Sequence, residues 1–377
     1  MRFFPRGTPT GSRCAQNDRV FFMATAIMLC IAISILILVH ELGHFYVAIW
    51  LKVRVEEFGF GFPPHLFSRV KNGIKYSFNA LPFGGYVKIF GEQGEGEGSR
   101  DSFITRPVWQ RLLILGAGVF MNLVLAWVLF SVGAAIGTPQ LAESENSSLP
   151  VSIVGIAPNS PAEYKGLRFG DQIFEMKGGD ISLRIEQEKD VSNFVDGFRG
   201  EEISVMVRRG SEIKEINITP RVDSPQGEGP LGVSLGRLTT MRVAWYKAPI
   251  VGAVTVWQTL LAVIGGLVFI VGQLFIHGGA GVSVSGPVGI YLFGRDVQVL
   301  GISYILQFVA MLSVNLAVLN ALPIPALDGG RMFFVFLEKI RGVRMNGQME
   351  ARLHQIGFAM LLLLMAIVTY KDIVNLF

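Results

Sequence analysis

Apolar residues in this chain come in long unbroken runs more often than in alternation. Residues 21–39 carry no charged side chain, and residues 45–51 are apolar again. A helix needs about 20 consecutive apolar residues to cross a bilayer. Four runs meet or approach that length: residues 21–51, 112–137, 297–327 and 356–370, the last relying on flanking residues to reach the interface. A fifth run, residues 248–276, is Gly-rich ("VIGGLVFIVG") and reads as interfacial, re-entrant or a hairpin pair of short segments.

The pattern changes between the second and third runs. Residues 141–236 are polar and broken into short β-like pieces ("VSIVGIAP", "EISVMVRRG", "EIKEINITP") by Gly and Pro turns. This predicts a small independent β domain with one helix near residues 191–198. Between the first two runs, "GIKYSFNALPFGGYVKIFGE" (residues 73–92) predicts strands around a Pro/Gly turn. That stretch is too apolar for a surface loop, and it can enter a membrane only if its backbone is paired or faces a cavity. "GEQGEGEGSR" (residues 91–100) then reads as a flexible loop. Residues 1–22 are Arg-, Gly- and Pro-containing without periodicity, and they read as a disordered extension, with Met23 a candidate natural start.

Composition agrees with this pattern. Of 377 residues, 51% are hydrophobic and 16% charged, with mean hydropathy +0.47. Soluble domains carry roughly 25% charged residues. The expected class is a polytopic α-helical membrane protein embedded in the lipid bilayer. No basic domain or nucleic-acid motif is present, so nucleic acid is not an expected partner. Two cysteines, Cys14 and Cys30, exclude a disulfide framework.

The candidate chemistry sits inside the first run. "VHELGH" places His40, Glu41 and His44 where the neighbours are lipid-like. Ionisable groups in a span are costly and mark function by default. On a helix, His40 and His44 share a face and can bind one metal, with Glu41 beside them as general base. A catalytic zinc usually takes three protein ligands. The candidate for the third is Asp328 in "NALPIPALDGG", which read alone is a turn residue. Topology allows the pairing: if the first, second and third runs cross in turn, Asp328 returns to the side of the histidines. This holds only if residues 248–276 do not cross once. Charge gives the orientation. Lys52, Arg54, Lys71, Lys75, Lys88, Arg100, Arg106 and Arg111 lie between the first two runs, and Lys339, Arg341, Arg344 and Arg352 between the last two. Excess Lys and Arg mark the cytoplasmic side. His65, His277 and His354 read as interfacial residues and not as ligands.

At this point the sequence resembles the site-2 protease family of intramembrane zinc metalloproteases, and most nearly the bacterial type that regulates sigma-factor release. "HELGH", "FGFGFPP", "LPFGGYVKIFGE", "GAGVFMN", "VSGPVGI" and "NALPIPALDGG" occur in family order. The resemblance implies Zn2+ held by His40, His44 and Asp328, with Glu41 as catalytic base. It implies substrate-binding roles for Asn320, for Gly118 and Asn122 of a GxxxN element, and for Gly84, Gly85 and Tyr86 on a re-entrant β-hairpin. The polar insert resembles a circularly permuted PDZ domain, with "GLRFGDQI" its clearest stretch and "PLGVSL" resembling the part that receives a peptide carboxylate. There is room for one such domain, where well-known relatives carry two. Gly118-Val119 stands where the family has Gly-Pro.

The implied organisation is a first half of the protease core at residues 23–137, a PDZ-like domain at 141–236, interfacial or re-entrant segments at 237–296, and a second half at 297–377. Four transmembrane helices and a membrane-associated hairpin make up the core. The implied activity is hydrolysis within transmembrane segments of single-span proteins, such as anti-sigma factors, or of remnant signal peptides. The implied location is the inner (cytoplasmic) membrane, multi-pass, with the active site toward the cytoplasm and the PDZ-like domain outside it. Two other readings stay open at this point: a membrane-anchored zincin acting on soluble proteins, and a non-catalytic PDZ scaffold.

Overall fold

The computed structural model describes residues 10–374 except 93, 95, 97, 142–148, 158, 211, 226, 278–285 and 344–346. Residues 1–9 of the extension and part of the 91–100 loop lie outside the described residues. The chain divides into a helical unit (Met1–Val132, Pro249–Arg295, Gln307–Phe377) and a β-rich unit (Gly133–Ala248, Asp296–Leu306).

Helix α1 (Thr10–Trp50) begins before the apolar run. No Gly or Pro interrupts it between residues 21 and 42, and it ends where Lys52 adopts φ 58°. Val53 N–H then donates to Ala48 O and Lys52 N–H to Ile49 O, the paired bonds of a Schellman stop. Two long strands follow, β1 (Val55–Lys71) and β2 (Ile74–Ile89). They fold back on themselves: Glu57 to Phe60 is flanked on one side by Gly85 to Lys88 and on the other by Lys75 to Phe78. The expected hairpin is thus a more folded sheet. Helix α2 (Val108–Ile136) comes next.

After the β-rich insert come α5 (Ala248–His277), α6 (Pro287–Leu300), α7 (Ile302–Ala321), α8 (Asp328–Arg341) and α9 (Gly347–Val374). Among the described residues, five helices are long and apolar enough to cross a membrane: Phe22–Trp50, Val108–Ile136, Ala248–Gln273, Ile302–Ala321 and Met349–Val374. Four are expected from the sequence, and α5 is the addition. It is one continuous helix and not a pair of short segments. Its Gly265 and Gly266 face open space, and glycine is more frequent in membrane helices than in soluble ones.

The helix polarities can be read from contacts. Gly118 of α2 lies against His44 of α1, and Ala326, just after α7, is bonded to His354 of α9. From that level, Phe22 and Asp372 each lie some 18 or more residues away, about 27 Å of helix or more. Gly286 N–H donates to Asp372 Oδ2 (2.9 Å), and Tyr291 OH to Phe22 O (3.4 Å), so α6 starts at this far end. Pro249 O accepts from Trp127 Nε1 (2.8 Å), placing the start of α5 in the same half. The chain therefore enters α5 and α6 from one side, and α7 descends to deliver Asp328 beside the histidines.

Apolar packing fixes this frame. Near the histidines, Phe45 and Ala48 of α1, Ile114 and Leu115 of α2, Ile89 of β2 and Val335 of α8 form one buried cluster. Farther along, Ala126 and Phe130 of α2 pack with Ala310 and Val314 of α7, and Val256 and Leu260 of α5 cover them.

The β-rich unit holds β3 (Thr138–Leu141), β4 (Val151–Ile156), α3 (Pro161–Tyr164), β5 (Gln172–Gly178), β6 (Ile181–Arg184), α4 (Glu188–Gly197), β7 (Ile203–Arg209), β8 (Glu212–Ile218) and β9 (Val233–Met241). Its antiparallel sheet has the order β3-β9-β4-β5-β7-β8, with β6 on β5. The alternation in "ISVMVRR" buries Ile203, Val205 and Val207, which meet Phe194 and Val195 of α4. Asp171 is fully buried and held by Arg209 through Nε–Oδ1 (2.7 Å) and Nη2–Oδ2 (2.6 Å).

Candidate active site

Two close approaches build the centre. A side-chain carbon at Gly43 would collide with the Ala117 carbonyl of α2, so α1 and α2 cross with backbones nearly touching. One residue on, a carbon at Gly118 would collide with His44 Nε2 and lie 2.6 Å from His40 Cε1. Only glycine at both positions leaves room for the imidazole pair between the helices.

His40 and His44 are each 6% exposed. His40 Nε2 lies 2.8 Å from Asp328 Oδ2, and His44 Nε2 lies 3.4 Å from the same oxygen. The two Nε2 atoms are 3.2 Å apart. All three ligand atoms fall within 4.8 Å of one another, the one such His/Asp group found among the described residues. The separation of 288 residues between His40 and Asp328 is closed by α7 and the Pro-containing turn after it.

The outer nitrogens decide what the inner ones can do. His44 Nδ1 donates to Ile114 O at 2.8 Å, which fixes the tautomer and leaves the Nε2 lone pair facing Asp328. His40 Nδ1 lies 3.2 Å from the amide of Asn122, a fully buried residue whose Oδ1 has no partner among the described residues. Turning that amide over puts Oδ1 opposite His40 Nδ1–H and satisfies both groups. His40 Nε2 then also keeps a lone pair that a metal can accept. Two imidazole nitrogens and one carboxylate oxygen suit zinc with a fourth position left for reactant. The residues present fit the ion.

Glu41 projects from the same turn of α1. Its Oε2 accepts from the backbone N–H of Val87 on β2 at 3.1 Å. The outer edge of β2 therefore faces α1 at the centre. Glu57 anchors that edge from behind, accepting from Ser77 Oγ (2.6 Å), Tyr86 OH (2.8 Å) and Lys75 Nζ (3.1 Å). Burial opposes the Glu57 charge, but these three donors outweigh it and hold the carboxyl below its ordinary pKa. A cavity of about 330 Å³ opens beside Glu41, His44 and Asp328, lined also by Tyr86, Val87 and Lys88. Glu92 and Arg331, an ion pair between the end of the sheet and α8, border it.

The structure brings together His40, Glu41, His44 and Asp328 as the sequence predicts. Gly85 lies over Glu41, and Gly84 packs on Ile37. Tyr86 lines the cavity, with its ring beneath Gly59. Gly118 and Asn122, expected at substrate, lie instead against the imidazoles. Asn122 has no accessible surface with which to touch a substrate. Asn320 is half-buried at the end of α7. Sequence reasoning missed the Val87 N–H, Glu92 and Arg331. Arg331 carries a readable signal, since three residues after Asp328 on a helix it shares that face.

Comparison with known proteins gives the same picture. The model of peptidase family M50 matches residues 28–364. A protein described as a zinc metalloprotease in Clostridium acetobutylicum is 33% identical over 348 residues, covering 91% of this chain and 96% of the relative. One so described in Fusobacterium nucleatum is 32% identical over 360 residues, covering 94% and 99%. The regulator of sigma-W protease RasP of Bacillus subtilis is 29% identical over 438 residues, covering 94% and 100%. With two imidazoles and a carboxylate converging inside apolar helices, and this likeness along almost the whole chain, the protein belongs to peptidase family M50, the site-2 proteases, and is a zinc metalloprotease.

Proposed function

We propose that this protein cuts peptide bonds within the transmembrane segments of single-span membrane proteins, with anti-sigma factors and remnant signal peptides as the candidate classes. The observation that carries the reading is the convergence of buried His40 and His44 with the partly buried Asp328 and Glu41 between helices of spanning length, beside the edge of β2 that faces α1.

His40, His44 and Asp328 would hold the zinc ion, which when bound polarises the scissile carbonyl and activates water. Glu41 takes the proton from the attacking water and passes it to the departing amine. The Val87 N–H holds one carboxylate oxygen of Glu41, so the other is free for this transfer. A helical substrate hides its carbonyls in its own hydrogen bonds and has to unwind before it is cut. The β2 edge supports capture of the unwound segment by strand addition, with Asn320 as a further anchor for its backbone. The cavity bordered by Lys88, Glu92 and Arg331 supports a polar route for water. The Lys- and Arg-rich loops support a cytoplasmic-membrane location with the site facing the cytoplasm.

The β-rich unit, with one face of α4 buried against an antiparallel sheet, supports the PDZ-like reading. On that reading it lies outside the cytoplasm and filters substrates by size or docks a C-terminus exposed by an earlier cut. Glu41→Gln tests the chemistry. The variant should retain stoichiometric zinc and abolish cleavage of a single-span reporter in vesicles; retained cleavage rejects Glu41 as the base.

A further inference from the structure

The third ligand stands on an unusual turn. Ala326, two residues before Asp328, adopts φ 81°, a left-handed conformation that a non-glycine residue takes only under constraint. The constraint comes from α9. His354 Nδ1 accepts the Ala326 N–H at 2.8 Å. One turn on, Gly357 lies so close to Pro325 that an added side-chain carbon would sit 2.5 Å from the Pro325 carbonyl oxygen. His354 and Gly357 are three apart and share a helix face. On the other side of Asp328, the His354 ring meets Phe334 of α8 edge-on, with centroids 5.7 Å apart. The His354 side chain is 16% exposed, and its Nε2 has no hydrogen-bond partner among the described residues. The imidazole is thus spent on one backbone amide, with ring contact to the helix that Asp328 begins.

We propose that His354 is a positioning residue for the metal centre: its Nδ1 lone pair locks the Pro325–Ala326 turn in the geometry that delivers the Asp328 carboxylate to His40 and His44. The proposal rests on the metal-site reading above. His354 binds no metal itself. It supplies the acceptor that pins a strained peptide, and the cradle at Gly357 supplies the wall. Without the acceptor, the Ala326 N–H is unpaired beside apolar helices and the turn relaxes toward ordinary backbone angles, carrying Asp328 with it.

The test exploits shape. The Oδ1 of asparagine overlays the Nδ1 of histidine, whereas the amide oxygen of glutamine lies one bond farther out. His354→Asn, His354→Gln and His354→Leu are compared in the full-length protein in detergent. Zinc retention is measured by chelator competition, and thermal unfolding is measured on the metal-stripped forms. His354→Leu and His354→Gln should lose zinc about 10-fold more readily than wild type, the order of magnitude of other supporting contacts at metal sites. His354→Asn should stay within about 3-fold, and the metal-stripped variants should melt alike. Equal retention by the Asn and Gln variants overturns the proposal, and this comparison stands even where His354→Leu fails to fold. A wild-type protein without stoichiometric zinc overturns the metal-site reading, and this inference with it.

Discussion

Asp171 in the β-rich unit and Asp328 in the helical unit are both carboxylates largely withdrawn from water, and their partners differ in kind. Asp171 receives two donors of the Arg209 guanidinium and the backbone N–H of Arg168 at 2.9 Å. Arginine always carries its charge and has no lone pair to offer a metal. That site is saturated and can only hold strands together. Asp328 meets two imidazoles whose outer nitrogens are tied elsewhere, at Ile114 O and Asn122. Their inner nitrogens keep lone pairs aimed at the same point as the carboxylate. A buried acid facing arginine is closed, and one facing anchored imidazoles can share a cation with them.

The comparison breaks most sharply at its functional half. Asp328→Ala should abolish stoichiometric zinc by elemental analysis, with a loss of affinity exceeding the ~100-fold seen on removing outer supports of metal ligands. Zinc bound at full occupancy would make Asp328 a turn residue and no more. The converse change, Asp171→Ala, leaves the largely buried Arg209 charge without its carboxylate, with only the Gly166 carbonyl as acceptor. It should cost about 3–5 kcal/mol in denaturant unfolding while zinc content stays intact. Asn122→Leu probes the anchoring itself and should weaken zinc by ~10–100-fold through loss of the His40 support. The smallest effect is expected for Tyr86→Phe. Glu57 keeps Ser77 and Lys75, so one hydrogen bond of about 1 kcal/mol is lost and zinc is unaffected.

Much of this was legible in the residues. Long apolar runs announce spans because lipid requires uninterrupted helices, and His40 with His44 declare a shared face by spacing alone. Asp328 was reachable through a parity argument on crossings. Its condition, that residues 248–276 do not cross once, is not met: α5 is one continuous helix of spanning length, and Asp328 reaches the histidines because α6 begins again in the half of the bundle where α5 begins. What stayed hidden depends on distances between elements. The sequence does not say that Asn122 meets His40, and a buried amide reads like any other polar residue in an apolar helix. Nor does it say that Val87 offers its N–H to Glu41, because backbone donors carry no side-chain signature. His354 reads as interfacial from sequence because its partner is a peptide group 28 residues earlier.

The crossing at Gly43 has a mechanical consequence. Where α1 rests on the Ala117 carbonyl, no rotamer lies between the two backbones to yield under load. A bilayer that thickens, thins or curves should therefore tilt α1 and α2 together at this crossing, with the imidazole spacing the last distance to change.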